Sequence, residues 1–237
     1  MIGGEQITAL VLAGGRGARI GGADKGLQPF RGQPLVSAVL ARLSAQTLPP
    51  ARIAINANRN LRDYAAIGAA FDAPVWPDGS APGTFPDGHP DELSGQTPGQ
   101  ILGQFPGPLA GILTGLTRAA TPYLLVVPCD APLLPLALCA HLARALQAAP
   151  SAQLAVACEA NDATGSAQWQ PLFCLLRRDE QGRLASDLSA WLGAGQHKVR
   201  DWIARQRHAI ARFNLPDTPS AFANTNTLEQ LRQMEDG

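Results

Sequence analysis

The chain has 237 residues, of which 46% are hydrophobic and 16% charged, which is typical of a soluble globular protein of one or two domains. Its 19 basic and 19 acidic residues balance, so overall charge favours neither nucleic-acid nor membrane binding. No apolar run approaches the roughly 20 residues of a membrane-spanning helix. The amino terminus also lacks a signal-peptide pattern, and we expect a cytoplasmic protein.

Short apolar strands alternate with amphipathic helices, which predicts an α/β fold with a mostly parallel central sheet and helices on both faces. The nearly unbroken apolar runs at 7–12 and 123–127 predict strands near the centre of that sheet. Further strands are predicted at 53–56, 74–76, 154–158, 171–176 and 209–213. Helices are predicted at about 35–43, 61–70, 109–116, 136–147, 184–192, 199–206 and 228–234.

One stretch interrupts this alternation. Residues 79–106, the insertion segment, are crowded with Gly, Pro, Ser, Asp and Gln and contain few apolar side chains. A mobile surface insertion fits this composition better than a working lid. We therefore expect a single domain over residues 1–237 that carries this insertion.

A glycine-rich, basic loop follows the first predicted strand. Five glycines fall within residues 14–22, and Arg16, Arg19 and Lys25 add positive charge. Glycines let several backbone N–H groups point at one anion, while Arg and Lys side chains bind phosphate. The loop fits neither the P-loop motif nor a clean dinucleotide-binding motif. A flexible connection with solvated cations is the alternative, but the combination favours phosphate binding.

Polar residues follow three predicted strands, at the edge where ligands bind in open α/β sheets. Asp130 follows the most apolar strand, where a carboxylate beside a phosphate-binding loop suits Mg²⁺. Asp78 follows a second predicted strand, and Asn56 is the last residue of a third. Taken singly, a helix cap, a Pro-Asp-Gly turn and a turn-stabilising Asn are the alternatives. Together they predict a nucleotide and magnesium site.

Other catalytic chemistry lacks support in the sequence. The four histidines show no metal-site spacing, and no G-x-S-x-G motif supports a serine nucleophile. The four cysteines lie far apart in apolar contexts, which predicts buried free thiols. They are Cys129, Cys139, Cys158 and Cys174.

Taken in order along the chain, the motifs resemble those of the molybdenum cofactor guanylyltransferases, usually called MobA. The segments that carry the resemblance are LAGG at 12–15, Arg19, GG at 21–22, DKG at 24–26, GQPL at 32–35, NANR at 56–59, GPLAG at 107–111, PCD at 128–130, QPL at 170–172 and FANTNT at 222–227. They span nearly the whole chain. The departure from the family pattern is the long stretch between Asp78 and GPLAG.

The resemblance implies a Rossmann-like nucleotidyltransferase fold that transfers GMP from GTP to molybdopterin and releases pyrophosphate. It implies catalytic roles for Arg19, Lys25 and Asp130, with Mg²⁺ on Asp130. The implied GTP contacts are Leu12, Ala13, Gly14, Gly15, Lys25, Asn56, Asp78 and Asp130. Asn224 and Asn226 fall on the pterin side. The implied protein is a monomer whose further partners are molybdenum-insertion proteins and molybdoenzyme chaperones.

Two kinds of alternative stay open. One is a related enzyme, either a CTP-using molybdopterin cytidylyltransferase or a sugar-phosphate nucleotidyltransferase. The other is a non-catalytic nucleotide-binding protein that carries the cofactor, although the presence of both Lys25 and Asp130 argues against it. Within the resembled family, Leu-Ala-Gly-Gly accompanies GTP and Leu-Ala-Ala-Gly accompanies CTP. Gly14 therefore favours GTP.

Overall fold

The structure, a computed structural model, describes residues 1–13, 24–79, 107–161, 166–214 and 222. The glycine-rich loop at 14–23, nearly all of the insertion segment and the helix predicted at 228–234 lie outside the described residues.

The described strands and helices alternate for most of the chain. The strands are β1 (Ile7–Leu12), β2 (Pro29–Phe30), β3 (Gln33–Pro34), β4 (Arg52–Asn56), β5 (Tyr123–Pro128), β6 (Leu154–Asn161), β7 (Ser166–Arg177) and β8 (His208–Asn214). The helices are α1 (Leu35–Ser44), α2 (Leu61–Ala69), α3 (Pro108–Arg118), α4 (Leu138–Ala148), α5 (Arg183–Gly193) and α6 (Val199–Arg205). Two 3₁₀ turns cover Gly4–Gln6 and Lys25–Leu27.

Six strands form one sheet in the order β4-β1-β5-β7-β6-β8, while β2 and β3 pair separately. Within the six-stranded sheet, β7 runs antiparallel to both of its neighbours and the other three pairs are parallel, whereas β2 and β3 are antiparallel. The predicted mostly parallel α/β sheet is confirmed. Strands β1 and β5 lie in its interior, as their apolar runs predict.

Helices cover both faces of the sheet because strand side chains alternate between them. Ile7, Ala9 and Val11 of β1 join a core with α1, α2 and α4. Leu10 and Leu12 join a second core with α3, α5 and α6. None of the helices in the described ranges has the length and apolarity that crossing a membrane requires.

Two predicted strands differ from the structure. At 74–76 there is only a bridge, in which Ile55 N donates to Pro74 O at 2.9 Å and Trp76 N donates to Ile55 O at 2.7 Å. Pro74 has no N–H to extend this pairing. Strand β7 begins at Ser166 rather than at 171, since its polar first half pairs with the far end of β6. A register shift between Val156 and Ala157 separates the two halves.

The four cysteines are buried and free, as predicted. Burial raises the pKa of Cys139 and of Cys174 to about 12. Burial likewise raises the pKa of Cys129, and the neighbouring charge of Asp130 adds to that effect. The thiols of Cys129, Cys139 and Cys174 therefore stay protonated at neutral pH and act as small apolar side chains.

Helix α3 lies unusually close to the sheet through two glycines one turn apart. A Cβ at Gly115 would lie 2.7 Å from Leu10 Cδ2 and 2.8 Å from Leu124 Cδ2. A Cβ at Gly111 would collide with Asn56 Oδ1 and lie 2.7 Å from Leu12 Cδ2. The absence of both side chains lets the helix backbone approach the sheet.

We expect Gly115→Ala to lower the free energy of unfolding by about 1–3 kcal/mol, the usual cost of overpacking a core. Gly193→Ala is the matched control, because Gly193 also lies in a helix but has nothing within 4 Å of an added Cβ. That control should be neutral or slightly stabilising. Urea unfolding of both variants measures the difference, and equal losses would contradict the close-contact explanation.

Candidate active site

The carboxyl ends of three parallel strands meet in register at one edge of the sheet. Leu12 pairs with Asn56 on one side and with Pro128 on the other. The pairing continues one step further, since Ala13 N donates to Asn56 O at 2.8 Å and Cys129 N donates to Leu12 O at 3.0 Å. Two strand spacings, roughly 10 Å, separate the outer ends. The predicted site residues Leu12, Ala13 and Asn56 therefore lie side by side at this edge of the sheet, which we call the crevice.

Lys25 and Asp130 form an ion pair in this crevice. Lys25 Nζ donates to Asp130 Oδ2 at 3.0 Å, and the two side chains are 24% and 13% exposed. Lys25 opens the 3₁₀ turn that follows the glycine-rich loop, whereas Asp130 follows β5. A cation suited to phosphate and a carboxylate suited to a hard metal ion thus lie side by side.

Asp24 is a buried carboxylate at the centre of a polar group that we call the Asp24 cluster. Its carboxylate, only 3% exposed, accepts hydrogen bonds from Gly26 N at 3.2 Å, Tyr64 Oη at 2.6 Å and Asn60 Nδ2 at 3.1 Å. Arg59 Nε lies 3.2 Å from Asp24 Oδ2 in an ion pair. Sequence reasoning assigned no role to any of these residues, although Asp24 and Arg59 belong to motifs of the family resemblance.

Asp78 is held by amide side chains at the end of β4. Asn56 Nδ2 donates to Asp78 Oδ1 and Asn58 Nδ2 donates to Asp78 Oδ2, each at 2.8 Å. Asp78 N in turn donates to Asn58 Oδ1 at 2.8 Å, and Thr114 Oγ1 lies 3.4 Å from Asp78 Oδ1. Asp78 and Asn56 therefore share one network. Asn58 and Thr114 complete it and were not predicted as site residues.

The site offers few protein ligands for a metal ion. Within the described part of the chain, no three His, Cys, Asp or Glu side chains cluster in a way that would hold one. Mg²⁺ characteristically takes one or two carboxylates and completes its octahedron with water and substrate phosphates. Asp130, a partly buried carboxylate in the crevice, fits that mode of binding when a nucleotide is present.

Five predicted site residues lie outside the described residues. They are Gly14, Gly15, Arg19, Asn224 and Asn226. Phe222, which precedes the pterin-side pair, is described and buried. Its ring centroid lies 5.0 Å from that of Phe173 and 5.1 Å from that of Phe213, on β7 and β8.

Comparison with known proteins identifies a protein family that matches most of the chain. The family described as MobA-like NTP transferase domain matches residues 9–86 and 100–210. The molybdenum cofactor guanylyltransferase of Methylibium petroleiphilum is 44% identical over 237 residues, covering 99% of this chain and 98% of the relative. That of Bordetella pertussis is 44% identical over 235 residues, covering 99% and 100%.

The chain belongs to the MobA-like NTP transferase family. The recognition made from its motifs is confirmed, and with it the nucleotidyltransferase class. The family match omits residues 87–99, which lie in the insertion segment, and ends at 210, before Asn224 and Asn226.

Solved structures share the fold of this MobA-like chain. The molybdopterin-guanine dinucleotide biosynthesis protein A of Archaeoglobus fulgidus has a TM-score of 0.63 at 17% identity, covering 97% of each chain. The 4-diphosphocytidyl-2C-methyl-D-erythritol synthase of Anaerococcus prevotii also has a TM-score of 0.63, at 10% identity, covering 98% of this chain and 96% of that one. The predicted Rossmann-like nucleotidyltransferase fold is confirmed.

The burial of Asp78 leads to a prediction about pH. Burial raises the pKa of its carboxyl above the ordinary 3.8, and hydrogen bonds from Asn56, Asn58 and Thr114 lower it by less. The folded protein thus holds this proton more tightly than the unfolded chain does. The contribution of Asp78 to stability is fully present below the unfolded pKa and is lost as the pH rises through the folded pKa.

We therefore expect the stability of the wild type, measured relative to Asp78→Asn, to fall as the pH rises above about 4, the ordinary pKa of an Asp carboxyl. Effects of the substitution that do not depend on pH cancel in this comparison. Urea unfolding of both proteins at a series of pH values measures it. A stability difference that stays constant or grows with pH would contradict the raised pKa.

Proposed function

We propose that this protein transfers GMP from GTP to the terminal phosphate of molybdopterin, forming the guanine dinucleotide cofactor and releasing pyrophosphate. The observation that carries the proposal is the Lys25–Asp130 pair, 3.0 Å apart at the carboxyl ends of the central strands. The names of the relatives that match along nearly their whole length support the choice of substrates.

Lys25 and Asp130 each help to neutralise the negative charge of the phosphates, Lys25 directly and Asp130 through a metal ion. Lys25 Nζ binds phosphate oxygens of the nucleotide and offsets charge that develops as pyrophosphate leaves. Asp130 would hold Mg²⁺, and the bound ion would supply further positive charge to the phosphates. Before substrate binds, the ion pair keeps either charge from lying half-buried without a partner, which would be costly.

Asn56 acts through Asp78 in this proposal. Its side chain is buried, and both protons of its amide nitrogen are used within the protein, on Trp76 O at 2.9 Å and on Asp78 Oδ1 at 2.8 Å. Its Oδ1 faces the space that a side chain at Gly111 would fill. Asp78 is thus the group that meets the nucleotide, and Asn56 orients it.

The reaction needs no general base from the protein. A phosphate monoester is already an anionic nucleophile at neutral pH, and pyrophosphate leaves readily once its charge is neutralised. Alignment of the two phosphates and stabilisation of charge supply most of the lowering of the barrier. Cations, a metal-binding carboxylate and a rigid sheet edge provide both.

We expect a preference for GTP over CTP of at least about tenfold, since one base contact is worth roughly 1–3 kcal/mol. Gly14 has no side chain to crowd a purine, so Gly14→Ala should reduce that preference. Equal concentrations of the two nucleotides, incubated with Mg²⁺ and molybdopterin, compete directly, and mass spectrometry identifies the pterin product. An excess of the cytidine product would favour the CTP-using alternative, and no nucleotide product at all would favour a carrier.

We expect Lys25→Ala to lower kcat/KM for GTP by about 10- to 100-fold, because a charge-assisted hydrogen bond is worth about 1.5–3 kcal/mol. Both KM and kcat should change, since the ammonium contacts phosphate before and during transfer. Lys198→Ala is the control, because Lys198 is exposed at the start of α6. Unchanged steady-state kinetics in Lys25→Ala would contradict the role of Lys25.

A further inference from the structure

We propose that Asp24 is a positioning residue for Lys25, and that Tyr64 and Asn60 hold it in that role. The proposal rests on the proposed function only in that Lys25 handles the nucleotide. It adds a second group of residues, from a different part of the fold, on which nucleotide transfer depends.

Asp24 and Lys25 are adjacent in the chain, yet their side chains bond to opposite sides of the crevice. On one side, Asp24 forms an ion pair with Arg59 and accepts hydrogen bonds from Asn60 and Tyr64, all of which follow β4. Lys25 bonds to Asp130, which follows β5. This dipeptide therefore spans the end of β1 and ties the two outer strand ends together.

The contacts of Asp24 exceed what a turn requires. The bond from Gly26 N is an ordinary cap for the turn that Lys25 opens, and one such bond is sufficient for capping. The other donors come from residues 36 to 40 positions away in sequence. Burying a carboxylate among so many donors needs a reason beyond the turn, because each partner must itself be held in place.

Two local irregularities converge on the same carboxylate. Gly26 has no side chain, and an added Cβ would collide with the Oη of Tyr64, which is fully buried in α2. Asn60 has a φ of 50°, in the left-handed region that Asn tolerates better than most residues, and donates to Asp24 from that conformation. The absence of a side chain at Gly26 and the left-handed backbone of Asn60 thus both accommodate the contacts of Asp24.

These contacts fix the backbone from which the flexible side chain of Lys25 extends. Lys has four rotatable bonds and much rotamer entropy, so its ammonium is only as well placed as its backbone. Groups that orient the ligands of a metal ion typically change activity by about 10- to 100-fold when they are removed, and we expect a similar range for Asp24. Loss of Asp24 should therefore reduce transfer through Lys25, and only through Lys25.

A double-mutant cycle tests this dependence. We expect Asp24→Asn to lower kcat/KM for GTP by about 10- to 100-fold in the wild type, but by less than about threefold in Lys25→Ala. Asp187→Asn is the matched control, since Asp187 accepts hydrogen bonds from Trp202 Nε1 at 2.9 Å and Gln206 Nε2 at 2.7 Å, between α5 and α6. Its effect should be on melting temperature and should be the same in both backgrounds.

Two milder variants can replace Asp24→Asn in the double-mutant cycle if that variant does not fold. Tyr64→Phe removes one hydroxyl donor, and Asn60→Gly keeps the left-handed backbone while removing the amide donor. Each should lower kcat/KM by about 3- to 10-fold in the wild type and have no effect in Lys25→Ala. Losses that multiply independently of Lys25 would show that Asp24 is structural only and would overturn the proposal.

The same variants separate this proposal from the proposed function. If the wild type makes no guanylylated pterin, the proposed function fails, and the cycle is then read from GTP affinity by calorimetry. If Asp24→Asn weakens GTP binding in the wild type but not in Lys25→Ala, the role of Asp24 in positioning Lys25 is still supported. Equal loss of affinity in both backgrounds overturns it.

Discussion

The parallel pairing of β1 with β4 and β5 is the constraint on which the crevice depends. Leu12 meets Asn56 on one side and Pro128 on the other, so all three strands end at the same level. Because β1 sends Ile7 and Leu10 to different cores, a slip of one residue would exchange the two faces. The same apolar packing that stabilises the fold therefore fixes the positions of the polar residues beyond the strand ends.

The close approach of helix α3 to the sheet affects the pKa of Asp78 through the side chain of Asn56. Gly111 leaves room for the side-chain amide of Asn56. The NH₂ group of that amide donates one hydrogen bond to Trp76 O and one to Asp78 Oδ1. Asp78 is thereby half-buried among neutral donors, and this partial burial raises its pKa more than the donors lower it. A carboxylate in this position stabilises the folded protein less than a fully solvated one would. Such a cost is common where a residue is placed for a ligand rather than for stability.

The sequence is sufficient to predict the central strands and the positions of Asn56 and Asp130, because unbroken apolar runs identify buried strands and the residue after each run identifies its end. It does not predict the first half of β7, since residues 166–170 are mostly polar and pair with β6 through tertiary context. Nor does it predict the Asp24 cluster. A periodic pattern says where a strand ends, but it does not say that Tyr64, 40 positions along the chain, reaches back to Asp24.

The distribution of charge explains why a metal ion suits this site. The chain has no net charge, so no overall field attracts a triphosphate and a second phosphate to the same crevice. Locally, Lys25 and Arg59 each contact a carboxylate, Asp130 and Asp24 respectively. Among the described residues, these two pairs balance the charges of the two cations and the two carboxylates before substrates arrive. Two phosphate groups brought together there repel each other unless further positive charge enters with them. In the function proposed above, a divalent cation carried by the nucleotide and bound by Asp130 would supply that charge only when the substrate is present.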